Sequence, residues 1–220
     1  SGRAPASNNG LCAYTPSRGV ISVRGNWPLV PTMDVVVPHT RTMADMLEVL
    51  DILVEDDIDT QGDFWRCQPW ITIPMASRVR PTSYTALEVG SLKSKRFGVP
   101  AMYINADPDA GGIGIGGPTG QKIETRASII ALWNTTRTAL EQAGAEVVTV
   151  DFPAVSNYEG DRINAPNIAT RGILPFGYLH HEISDLSVWA WDDFLSNNND
   201  PILFCLANVD GSKIFPAPND

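Results

Sequence analysis

An α/β fold with parallel strands is what these 220 residues predict, on three observations. Residues 97–104 form an apolar run that reads as a buried strand. Residues 126–143 carry Ile129, Ile130, Trp133, Leu140 and Ala143 and read as a helix. Residues 146–152 read as a second strand. Parallel neighbours need a long connection, so the order strand, loop, helix, strand points to a parallel pair. Gly144 stands where that helix must stop.

The other elements follow in chain order. The first forty residues are rich in Gly, Pro, Ser and Asn and read as turns and loops, with a short strand at 20–23. Residues 42–54 form a helix: Thr42 and Asp45 have capping-box spacing, and Met43, Met46, Leu47, Leu50 and Leu53 share one face at helical period. Residues 56–96 are irregular. A loop of that length is usually functional, and Trp65 and Trp70 either line a pocket mouth or pack the loop down. A Gly-rich loop spans 111–120. A last helix, 182–195, places Ile183, Leu186, Ala190 and Phe194 on one side, with Trp189 and Trp191 widening that face. Residues 197–200 and 216–220 read as loop.

Composition narrows the function. An apolar fraction of 43% is ordinary for a globular chain, and the length suits one domain, 1–220. No run of eighteen apolar residues suggests a membrane span. Acidic side chains number 25 against 16 basic, a net charge of −9, which disfavours a nucleic-acid partner. Glu55, Asp56, Asp57 and Asp59 read as a solvated helix end, since they lack the ligand spacing of a calcium loop. The three cysteines, Cys12, Cys67 and Cys205, are too few and too scattered for a disulfide framework. Cys12 and Cys205 read as buried thiols, and a reduced, cytoplasmic setting follows. His180 and His181 are adjacent and do not share a helix face, so no metal site is expected.

Residues 112–117, Gly-Ile-Gly-Ile-Gly-Gly, satisfy G-x-G-x-x-G. In a dinucleotide site those glycines form the tight turn between strand and helix. Here residues 105–111 separate them from the strand, and the helix starts only near 126. Asp151 also falls far beyond the usual interval of about 20 residues. A surface loop is the better account, and no cofactor is expected.

The chemistry lies at the beginning. Ser1-Gly2-Arg3-Ala4-Pro5-Ala6 leads to Gly10-Leu11, then Pro16-Ser17-Arg18-Gly19 and Val20-Ile21-Ser22. Pro31-Thr32-Met33-Asp34 and Pro38-His39-Thr40-Arg41-Thr42 follow, with Phe97-Gly98-Val99-Pro100 and Ala143-Gly144-Ala145-Glu146-Val147-Val148 farther on. This series resembles the amidase signature family over nearly the whole chain, and the first forty-five residues are its specific part. The resemblance implies a mixed, mainly parallel sheet flanked by helices on both faces, here incomplete at both ends and part of a larger amidase-signature domain.

It also implies that Ser1 is the nucleophile of an amidase acting on a small-molecule amide through an acyl-enzyme. The family's other catalytic residues are a lysine and a serine with a cis peptide bond. Both are expected from an upstream segment or a second chain. A serine hydroxyl needs such a base. Gly2 and Pro5 suit a tight turn beside a serine, and Arg3 is expected to anchor the loop through a carboxylate. Cys12-Ala13-Tyr14-Thr15-Pro16 and Pro38-His39-Thr40 depart from the family pattern without touching its catalytic positions. Two alternatives stand beside this reading. One is a self-contained N-terminal-nucleophile enzyme using its own α-amino group as base. The other is an inactive fragment or pseudoenzyme acting as a binding module.

Overall fold

The computed structural model describes residues 2–87, 90–108, 124–152, 171–175 and 177–213. They divide into two compact units, one of residues 1–88 with 179–220, the other of residues 89–178. The Gly-rich stretch 111–120 and the end of the tail, 216–220, lie outside the described residues.

The first unit opens with α1 (Arg3–Asn9), where the sequence suggested only turns. Pro5 is its third residue, a position whose N–H has no partner inside a helix, so proline is tolerated there. β1 (Cys12–Ala13) pairs antiparallel with β2 (His39–Thr40). No strand forms at 20–23; Ile21 makes only an isolated bridge to Arg18 and is buried.

α2 (Met43–Leu53) ends within a residue of its expected bounds. The Asp45 N–H donates to the Thr42 hydroxyl oxygen at 3.1 Å, which caps it. Met46, Leu50 and Val54, four residues apart, are its buried stripe and meet Ile21, Ala76 and Tyr84 to form the core. Met43 and Leu53 are exposed: Met43 lies on the first turn, past the end of that core, and Leu53 lies at the edge of the stripe.

The long segment that follows contains α3 (Phe64–Cys67), α4 (Ala76–Val79) and a 3₁₀ turn at Thr85–Leu87. The acidic run after α2 is not simply solvated. Glu55 pairs with Arg80, Asp56 accepts from the Ser77 N–H and hydroxyl, and Asp57 accepts from Ser22 and Arg24. Three arginines and two serines draw these carboxylates onto the chain. The expected helix at 182–195 is two helices, α6 (Tyr178–Ile183) and α7 (Asp185–Asn198), meeting at Ser184. Ser187, Ala190 and Leu195 are buried, whereas Ile183 is 55% exposed. Cys12 and Cys205 are half-buried rather than buried, and Cys67 is exposed.

The second unit holds the expected strand, helix and strand. β3 (Arg96–Pro100) and β4 (Glu146–Val150) are parallel, with Arg96 opposite Glu146 and Pro100 opposite Val150. Between them runs α5 (Ala127–Gln142). Gly144 has φ +91°, a left-handed conformation suited to glycine, and its missing Cβ would stand 3.3 Å from the Lys93 backbone. β3 is shorter and less buried than expected: residues 101–104 turn into a 3₁₀ helix, and Phe97 is 37% exposed. The described residues form mixed helix and strand, with two two-stranded sheets, one antiparallel and one parallel.

Candidate active site

Ser1 lies outside the described residues, so the site is built from the residue bonded to it. Gly2 caps the N-terminus of α1, and a Cβ there would fall 2.9 Å from Val37 Cγ2. Only the absence of a side chain lets the backbone approach Val37 this closely. Arg3 is exposed, and among the described residues no carboxylate pairs with it, contrary to expectation.

Val37 ends a strap, residues 28–37, that is held from several sides. The Asp34 carboxylate accepts the Leu29 N–H at 2.8 Å and the Val30 N–H at 3.1 Å, closing the turn at Pro31. The Thr32 carbonyl accepts from Arg18 Nε at 3.0 Å and Trp65 Nε1 at 2.9 Å. The Thr32 hydroxyl donates to the Glu182 carboxylate. From α7, Trp191 Nε1 donates to the Pro28 carbonyl and the Ser187 hydroxyl to the Leu29 carbonyl, both at 2.8 Å. Just past the strap, His39 Nε2 is buried without a hydrogen-bond partner among the described residues.

The strap forms one wall of a cleft of about 340 Å³. Val35, Val36 and Val37 line it on that side, Trp27 and Phe64 on another, and Trp189, Ala190 and Asp193 on the face of α7. A volume of this size falls within the range of about 300–1,000 Å³ found for small-molecule sites, which are likewise mostly apolar with a few polar groups.

A charged network fixes the cleft's floor. Asp63 is 2% exposed. Its carboxylate accepts the Val23 N–H at 3.2 Å, caps α3 through the Arg66 N–H at 3.3 Å, and pairs with Arg66 Nε at 2.8 Å. This sets both Val23 and Phe64, two of the cleft's lining residues. Arg66 also donates to the Ser22 hydroxyl at 2.6 Å, to the Asp57 carboxylate at 3.3 Å and to the Asp59 carbonyl at 3.0 Å. Hydrogen bonds from Arg24 and then Ser22 hold the Asp57 carboxyl well below the usual carboxylate range.

Trp65 and Trp70 do not line the cleft. Trp65 packs edge-on against Phe64, 5.4 Å between ring centroids, and pins Thr32, while Trp70 is 77% exposed. The sequence reading missed Trp189 and Asp193 as cleft residues, taking Trp189 for a widened core face. Their four-residue spacing, which puts an aromatic ring and a carboxylate on one helix face, was the available signal. Among the described residues no group of three His, Cys, Asp or Glu side chains is placed to hold a metal ion. No described helix is long and apolar enough to cross a membrane.

The amidase family model matches residues 1–164. The chain is 30% identical over 153 residues to a subunit of the mitochondrial glutamyl-tRNA(Gln) amidotransferase of Xenopus tropicalis, covering 70% of this chain and 24% of that protein. To the corresponding subunit from Anopheles gambiae it is 30% identical over 154 residues, covering 70% and 25%. The chain therefore spans about a quarter of the length of these relatives. A solved amidase family protein from Bacillus anthracis str. Ames aligns over 93% of this chain and 38% of its own, at 19% identity and a TM-score of 0.45.

Proposed function

Since this chain belongs to the amidase family, we propose that it carries the nucleophile of an amide hydrolase and that the nucleophile is Ser1. The Ser1 hydroxyl oxygen attacks a carboxamide carbonyl while its proton passes to a base. The tetrahedral intermediate expels the amine, which takes up a proton, and leaves an acyl ester on Ser1. Water then attacks the ester and releases the acid. A lysine acting through a cis-serine, supplied from outside these 220 residues, is the proposed base.

The observation that carries this reading is the family match over 1–164, which contains the Ser1–Ala6 motif. The approach of Gly2 to Val37, a wall residue of the cleft, supports it. A second reading, in which the released nitrogen passes to an acceptor inside a complex, is favoured by the relatives' being amidotransferase subunits by name. Two structural readings go with the proposal. The whole chain is part of one larger amidase domain, and its parallel pair, β3 with β4, belongs to a mainly parallel sheet with helices on both faces. The free thiols of Cys12, Cys67 and Cys205 support a reducing compartment such as the cytoplasm.

Hydroxylamine tests the acyl-enzyme. Incubated with the protein and a carboxamide, it intercepts the ester as a hydroxamate. The expected result is hydroxamate formation that falls by about 10⁴-fold or more in Ser1→Ala. Equal formation by wild type and S1A would overturn the proposal.

A further inference from the structure

We infer that the cleft between the strap and α7 selects amides whose acyl part is bulky and apolar and carries an ammonium group, with Asp193 as the counter-charge. This rests on the amide-hydrolase reading and names its substrate class.

The cleft's chemistry is one-sided. Its lining contains two carboxylates, Asp34 and Asp193, and no lysine, arginine or histidine. Asp34 is engaged by two backbone N–H groups of its own strap. Asp193 is half-buried on α7, and among the described residues nothing pairs with it. A carboxylate at an apolar cleft with no cation of its own is matched by a ligand's cation and repels a ligand's carboxylate. Trp27 and Trp189 line the same cleft, each about half exposed at 53% and 52%. Indole faces attract organic cations as well as apolar groups. The net charge of −9 favours the approach of cations.

The wall that supplies this chemistry, α7, lies beyond the residues the family model matches. Trp191 and Ser187 on the same helix clamp it to the family-matched strap.

The test compares phenylalaninamide with 3-phenylpropanamide, which differ only in the α-ammonium group. Binding is followed by tryptophan fluorescence in the full chain carrying Ser1→Ala, so that the ligand stays intact. At about pH 6, below an α-amino pKa of about 7.7–8.0, phenylalaninamide should bind about tenfold tighter. That preference should vanish in S1A/D193N, and in S1A when the pH is raised to about 9 and the amine loses its charge. Trp189→Ala should weaken both amides. Equal binding of the two amides, or a preference unchanged in D193N and at high pH, would overturn the proposal. The pH comparison needs no change at Asp193, so it stands even if D193N fails to fold. Failure of the two readings is separable. Absence of binding by either amide, with Ser1 still acylated by a reactive probe, sinks the cleft proposal alone. The expected binding, with wild type and S1A equally active, sinks the Ser1 reading alone.

Discussion

Trp191 Nε1 donates a hydrogen bond to the carbonyl of Pro28 at 2.8 Å, tying α7 to the start of the strap that walls the cleft. The same indole stacks on Trp27, with centroids 6.0 Å apart. Trp191→Phe keeps an aromatic ring but removes the donor, leaving a part-buried carbonyl without its partner. The expected cost is about 1–3 kcal/mol, read as a lower urea midpoint with an unchanged slope. An unchanged midpoint would mean that the strap does not depend on this contact.

Arg66 is the deepest ion-pair donor among the described residues of the first unit, with its side chain 10% exposed and that of its partner Asp63 3% exposed. Arg66→Ala strands Asp63 without its cation. Breaking a buried pair from one side costs about 3–5 kcal/mol, so a large loss in thermal or urea stability is expected. Arg66→Lys should recover only part of it, because one ammonium cannot reach Asp63, Asp57 and Ser22 in the guanidinium's fork geometry.

Gly2 and Val37 give a prediction for activity. Gly2→Ala places a methyl 2.9 Å from Val37 Cγ2, and one of the two must move. Displacement of the residue beside the proposed nucleophile should lower kcat/KM by about ten- to a hundredfold. The double variant Gly2→Ala/Val37→Ala should restore part of it, because the second change removes both colliding methyls and leaves only the Cβ of residue 37, at 3.1 Å. Additive losses in the double variant would show that this contact does not position Ser1.

Asp51 predicts an acid limb to stability. Its carboxylate accepts the Tyr84 N–H at 2.6 Å and the Ser83 hydroxyl at 2.8 Å. These bonds, the Tyr84 N–H foremost, lower its pKa to about 2. A carboxyl depressed on folding contributes stability above its unfolded pKa of about 3.9, and that contribution is lost as pH falls through the folded value. Urea midpoints should therefore drop between about pH 4 and pH 2. Asp51→Asn should make that drop shallower, leaving the part due to Asp56, Asp57, Asp200 and Asp210, which are also depressed. Parallel curves for the two proteins would count against this linkage.

The sequence announced those elements whose signals are local. α2 was legible from its Thr42 cap and its periodic apolar stripe, and α5 from its periodic apolar residues and the stop glycine Gly144. The parallel pairing of β3 and β4 followed from their spacing around α5. α1 was hidden by its Gly, Pro and Asn content, although Pro5 falls where a helix tolerates it. The break at Ser184 and the shifted face of α7 were not legible, because burial there is set by a strap some 150 residues earlier in the chain. For the same reason the motif at Ser1 could be read directly, whereas the cleft, assembled from Trp27, Phe64, Val37 and Trp189, could not.

The most direct test of the central claim is to treat the intact native protein with a fluorophosphonate and map the adduct by peptide mass spectrometry. Activated serine nucleophiles form a stable phosphonyl ester, and ordinary hydroxyls do not. The account predicts a single adduct on the Ser1 peptide, absent from Ser1→Ala. Adducts elsewhere with Ser1 unmodified, or none at all, would contradict it.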